Sequence, residues 1–140
     1  MPPSPTRRSL LTAAGAASSS ALAGCANVLG SKELAHEVEV YNYTDAAHEL
    51  AVRVSDDAGD VLYSRQFHLE GNHGEEDTDP FTGAPETIVV TVDGEEPTEY
   101  DWPSVDCEDR GSRSAGGADL YITAEDGIRL EPTCDTVYAE

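Results

Sequence analysis

The residues best equipped for chemistry are the three cysteines, at positions 25, 107 and 134. Cys25 closes the run Leu22-Ala23-Gly24-Cys25, which looks like a lipobox, where the cysteine becomes the lipid-bearing first residue of a mature chain. The residue must be cysteine because its thiolate is the nucleophile that accepts the lipid. Two acyl chains anchor stably where one gives only weak attachment. With Cys25 so used, Cys107 and Cys134 remain as an even pair in an exported chain, which reads as a disulfide. Reduced thiols or a metal role are the alternatives. The bridge would close a loop of 27 residues, and chain entropy assigns it about 3.5 kcal/mol.

The segment before Cys25 has the layout of an export signal: a basic start at Arg7 and Arg8, a Leu/Ala/Ser run from Leu10 to Ala23, then small residues. Thr6-Arg7-Arg8-Ser9-Leu10-Leu11 resembles the twin-arginine signal, used by proteins that fold before they cross the membrane. The apolar run is shorter than the roughly 20 residues of a membrane span. The expected organisation is residues 1–24 as signal, 25–35 as lipidated Cys25 and tether, and 36–140 as one domain.

Other chemistries find less support. The histidines, His36, His48, His68 and His73, show no HExxH or paired CxxC pattern. All four precede Cys107 and the only methionine is Met1, so a blue-copper arrangement is excluded. The acids Glu75, Glu76, Asp77 and Asp79, and the pair Glu108-Asp109, suit Ca²⁺, but an EF-hand count from Asp77 puts Thr82 where glycine is needed. No GxSxG elbow is present, and no glycine-rich loop leads from a strand into a helix, so no catalytic residue and no nucleotide is assigned. Asn42-Tyr43-Thr44 is an N-glycosylation sequon, whose plainer reading is a strand-end asparagine. Tyr41, Tyr43, Tyr100 and Trp102 could form an aromatic platform, with Trp102 beside Pro103 reading first as core.

These residues must be positioned by strands, because the apolar period from His36 onward is two. Val38 and Val40 alternate with Glu37, Glu39 and Tyr41. Leu50, Val52 and Val54 form a second run. Val61, Tyr63, Phe67 and Leu69 form a third, interrupted by Arg65 and reached through an Asp56–Gly59 turn. These three suggest an antiparallel meander. A polar loop over 70–80 follows, then Ile88, Val90 and Val92, then Thr98, Tyr100 and Trp102. A closing hairpin carries Leu120 and Ile122, then Ile128 and Leu130, around Asp126-Gly127. The sum is an all-β chain: an immunoglobulin-like antiparallel β-sandwich of seven or eight short strands, with a small open barrel second.

Charge sets the boundary conditions. The 140 residues hold 28 acids and 8 bases, a formal charge of −20, and removal of residues 1–24 deepens it. No basic patch could neutralise phosphates, so a nucleic-acid partner is excluded. Such repulsion is tolerable in strong salt, where the Debye length at ~1 M falls to about 3 Å. Lys32 is the only lysine. Twin arginines, lipobox, acid-rich sandwich and late cysteine pair together resemble uncharacterised haloarchaeal membrane-anchored lipoproteins. That resemblance implies a membrane partner through Cys25, an extracytoplasmic location, no cofactor, and a structural or binding role with an unknown protein or solute. An accessory solute- or divalent-ion-binding lipoprotein is the alternative.

Overall fold

A computed structural model describes residues 32–76 and 79–139. The sites expected at Arg7, Arg8 and Cys25 lie outside the described residues, as does Asp77. Eight strands form: β1 (Val38–Asn42), β2 (His48–Ser55), β3 (Val61–Leu69), β4 (Gly74–Glu75), β5 (Thr87–Val92), β6 (Thr98–Asp101), β7 (Gly117–Thr123) and β8 (Gly127–Thr133). They make two four-stranded sheets, ordered β4-β1-β7-β8 and β3-β2-β5-β6, in the sandwich architecture that the period-two pattern calls for.

Alternation decides which side chains meet between the sheets. Val38 and Val40 of β1 and Leu120 and Ile122 of β7 join Leu50, Val52, Val54, Tyr63, Phe67, Leu69, Ile88 and Val90 of the second sheet in one buried cluster. Phe81 and Trp102 seal one side, edge to face with ring centroids 5.9 Å apart. Trp102 therefore packs as core, as expected. Arg65 breaks the apolar stripe of β3 without burying an unpaired charge: it meets Glu75 at 2.8 Å and lies 5.0 Å over the Phe67 ring.

Three local expectations change. β1 does not join a meander with β2 and β3. It crosses to the other sheet and runs parallel to β7, from Val38 opposite Ala118 to Asn42 opposite Ile122. The loop over 70–80 contains β4, which pairs with β1 through Val40–Glu75 and Tyr41–Gly74. Glycine is needed at 74, because a Cβ there would strike the Tyr41 ring. Val61 is exposed, as the register of β2 and β3 slips at Val54/Ser55.

The compact unit that holds the strands includes the residues from Lys32 onward. Ala35 is buried and its amide donates to the Val137 carbonyl at 2.8 Å, while the Ala139 amide donates to Glu33 at 2.9 Å.

Candidate functional site

Strands β1 and β7 carry the same short pattern, acid–aliphatic–tyrosine: Glu39-Val40-Tyr41 and Asp119-Leu120-Tyr121. The parallel register sets them side by side, Glu39 against Asp119 and Tyr41 against Tyr121. The antiparallel register with β8 adds Glu131 beside Asp119 and Arg129 beside Tyr121. The aliphatic residues point into the core, so the outer face of this sheet carries two rows. One is acidic (Glu39, Asp119, Glu131); the other is Tyr41, Tyr121 and Arg129.

The aromatic row is closely packed. Tyr41 and Tyr121 stack with centroids 5.2 Å apart and planes 18° apart, and Tyr43 packs 5.3 Å from Tyr121. The Arg129 guanidinium lies 4.8 Å over the Tyr121 ring and 3.3 Å from Glu131. Both buried-edge hydroxyls turn to the acids: Tyr41 donates to Glu39 at 2.6 Å and to Glu76 at 3.2 Å, and Tyr121 donates to Asp119 at 3.1 Å. Burial, then the adjacent carboxylates, drive both phenols upward, Tyr121 to about 12.

Next to the acidic row, carboxylate oxygens of Glu37, Glu39 and Asp135 come within 4.8 Å of one another. Burial, followed by Glu39, Asp135 and Asp119, pushes the Glu37 carboxyl up to about 7. Burial and the charges of Glu39, Asp135 and Glu131 push Asp119 up to about 6, against the opposing Tyr121 hydrogen bond. Like charges directly across strands destabilise a sheet, so this row is a local conflict that the fold does not require.

The disulfide positions Asp135. Cys107 and Cys134 are joined, with Cα atoms 5.5 Å apart. Around the bridge, Ser112 donates to the Cys134 carbonyl and Ser114 to the Asp135 carbonyl, each at 2.6 Å, and Thr136 donates to Arg113 at 2.7 Å. The 112–116 segment is thereby fastened to the residues after β8.

Asn42 lies at the opposite end of β1 and is fully buried. Its amide nitrogen faces the carbonyls of Ala46 (2.7 Å), Leu69 (3.3 Å) and Glu70 (3.1 Å), tying β1 to the end of β3 in the other sheet. Its Oδ1 accepts from the Thr44 amide at 3.0 Å and the Thr44 hydroxyl at 2.7 Å. The sequon residues therefore form a clamp in the folded domain, and the nitrogen that a glycan would occupy is sealed.

Thr44 also stands 3.1 Å from His48 Nε2, and His48 Nδ1 is 2.7 Å from Asp93, the connectivity of a nucleophile, base and orienting acid. The Glu49 amide and His48 hold the Asp93 carboxyl low. The Thr44 hydroxyl, however, has two other acceptors for its proton, Asn42 Oδ1 at 2.7 Å and the Ala46 carbonyl at 3.1 Å, and Asn42 Oδ1 is fixed because its amide nitrogen is committed. The arrangement fastens the β1–β2 loop to the turn after β5.

The remaining sequence candidates are not assembled into a site. His68 lies between Glu49 (2.6 Å) and Glu70 (3.0 Å), whose hydrogen bonds raise its pKa, and His73 contacts the Gly71 carbonyl. His36 lies between the Gly116 and Gly83 carbonyls. Glu75 is taken by Arg65 and Glu76 by Tyr41, while Glu108 and Asp109 sit on the loop after β6. Tyr41 and Tyr43 belong to the outer face, whereas Tyr100 packs with the core.

Asp119, Tyr121, Arg129, Glu131 and Asp135 are absent from any motif. Their one signal is the acid–aliphatic–tyrosine repeat, which acquires meaning only once β1 and β7 are known to be neighbours. No known protein family matches the sequence, and no curated protein is similar enough to count as a relative.

Proposed function

We infer that this chain is a lipid-anchored extracytoplasmic β-sandwich acting as a non-catalytic binding module at the cell surface. Cys25 is the anchor and the outer face of β4-β1-β7-β8 is the recognition face. The observation that carries the second part is the tyrosine row in register beside a row of carboxylates in which, among the described residues, only Glu131 meets a base, a departure from pairing rules of the kind that functional sites display. The anchor rests on the lipobox and the basic, then apolar, segment before it.

Replacing Cys25 by serine in the producing cell tests the anchor. The variant is expected in the medium, and retention with membranes to the wild-type extent would overturn the reading. A divalent-ion role is the second reading, supported by the converging Glu37, Glu39 and Asp135 carboxylates. Three carboxylates supply part of the 6–8 oxygens that Ca²⁺ takes. Titration calorimetry with CaCl₂ in molar KCl checks it, and heats equal to those of dilution would retire it.

A further inference from the structure

Three cavities lie off the outer face of β4-β1-β7-β8: one of about 280 Å³ lined by Val90, Val92, Ile122 and Ile128, and two smaller ones around Ala51 and Gln66 of the second sheet. The register sets the side chains of this face in rows, which suits an extended partner better than a small molecule in a concave site. The side chains from Glu37 to Tyr43 run about 20 Å along β1, the span of an extended segment of about six residues.

The chain itself shows what this face accepts. Arg129 lays its guanidinium on the Tyr121 ring while reaching Glu131. Among the described residues it is the one basic side chain against these rings and acids. Beyond Tyr121 the pattern continues without a cation among the described residues: Tyr43 is 56% exposed, and no described basic side chain forms an ion pair with Glu37, Glu39, Asp119 or Asp135. A planar guanidinium both stacks on an aromatic ring and forks to a carboxylate, whereas an ammonium is a strongly hydrated point charge.

We propose that this face binds an arginine-containing extended segment of a partner polypeptide, its guanidinium groups stacking on the tyrosine row and pairing with Glu37, Glu39 and Asp135 as Arg129 does with Tyr121 and Glu131. The proposal rests on the reading of this face as the recognition face and supplies its ligand class. It also explains the clustered carboxylates. Charges that repel one another in the free protein are relieved when a partner's cations arrive, so part of the repulsion is recovered on binding. Protonation competes with that relief. The groups facing the ligand are Glu37, Glu39, Glu76, Tyr41 and Tyr43 from β1 and the β4 side, Asp119 and Tyr121 from β7, and Arg129, Glu131 and Asp135 from β8 and its extension. Of these, Glu37 and Asp119 titrate closest to neutrality.

The test is fluorescence anisotropy with the full chain and a labelled Arg-Gly-Arg-Gly-Arg-Gly-Arg peptide, in 0.15 M and 2 M KCl. The same peptide with lysine and with neutral citrulline for arginine are the controls. Binding is expected for the arginine peptide, several-fold weaker for lysine and absent for citrulline. It should weaken about tenfold from pH 8 to pH 5 as Glu37 takes a proton. Tyr43→Ala, at an exposed position, should weaken it about three- to fivefold, the loss of one exposed cation–π contact, and Glu39→Gln should weaken it further. Equal affinity for the arginine and lysine peptides, or indifference to Tyr43→Ala, reduces the effect to general attraction by an acidic surface and overturns the proposal. No binding also overturns it. If CaCl₂ then binds in a manner lost in Glu39→Gln, the face survives as a binding site and only its ligand class falls; if nothing binds that responds to Glu39→Gln, the reading of the face falls too.

Discussion

Asn42 is the position where one substitution tests most of the structural reasoning. Asn42→Ala leaves three carbonyls, those of Ala46, Leu69 and Glu70, and two Thr44 donors without the partner they have now. The Leu69 contact is fully buried, so its orphaned carbonyl bears the desolvation penalty of about 1–3 kcal/mol. The other groups can turn partly toward water and lose about 0.5–1 kcal/mol each. Because the five share one side chain, the terms do not simply add. We expect a loss of about 3–5 kcal/mol, a large part of the 5–15 kcal/mol typical of a whole domain. The neighbours grade the effect: Thr44→Ala removes the hydroxyl's contacts with Asn42, Ala46 and His48, all at partly exposed positions, and should cost about 1 kcal/mol, and Tyr43→Ala, at an exposed side chain, close to nothing. Urea unfolding followed by circular dichroism gives the three values. Intact-mass and peptide analysis of protein recovered from membranes should show Asn42 unmodified, because its Nδ2 is sealed. A loss below about 1 kcal/mol for Asn42→Ala, or a glycan on Asn42 in the folded protein, would refute the clamp.

Two further outcomes follow from the same geometry. Replacing Cys107 and Cys134 together by serine should cost about 3.5 kcal/mol by loop entropy, measured by denaturant titration, and should also free Asp135; an unchanged midpoint would show that the hydroxyl contacts around the bridge suffice. Burial and neighbouring carboxylates push Glu37 up to about 7 and Asp119 up to about 6, well above the ordinary carboxylate range, so the neutral carboxyl is favoured in the fold. Their stabilisation is complete below about pH 4 and is lost as pH rises through 6 to 7. With screening at these half-exposed positions it amounts to about 1 kcal/mol each. Thermal unfolding at pH 5 and pH 8 should show a higher midpoint at pH 5, and Glu37→Gln should narrow the gap; an unchanged gap would remove Glu37 as its cause.

The alternation of Val38/Val40, Leu50/Val52/Val54, Ile88/Val90 and Leu120/Ile122 was readable because a period of two fixes which face of each strand is apolar, whatever its neighbours are. The cysteine pair was readable because assigning Cys25 to the proposed anchor leaves an even pair, Cys107 and Cys134. Strand order was not: the hydrophobic pattern of β1 is satisfied equally beside β2 or beside β7, and the choice is made by contacts about 80 residues apart, such as Val40 with Leu120. The Asn42 sequon was open to two readings for a related reason. An Asn-x-Thr triplet serves as a surface acceptor or as a turn clamp, and burial by the distant residues Leu69 and Glu70 decides between them.

The acidic surface raises the same question of address. With 28 acids in the chain, most carboxylates need no explanation beyond solvation, and proximity alone identifies none of them. Register is more discriminating. Glu39, Asp119 and Glu131 occupy directly paired positions on three adjacent strands, where replacing any one by a neutral residue would relieve repulsion without disturbing the core behind it. Beside them, Tyr41 needs a glycine at 74 for its ring to lie across β4, and Asp135 is held near Glu37 by a disulfide and three hydroxyl contacts. Solvation requires neither a fixed ring nor a fixed carboxylate. Fixing these groups in a mutually repulsive arrangement is what a face prepared for an incoming cation requires, since it meets the ordering cost before the partner arrives.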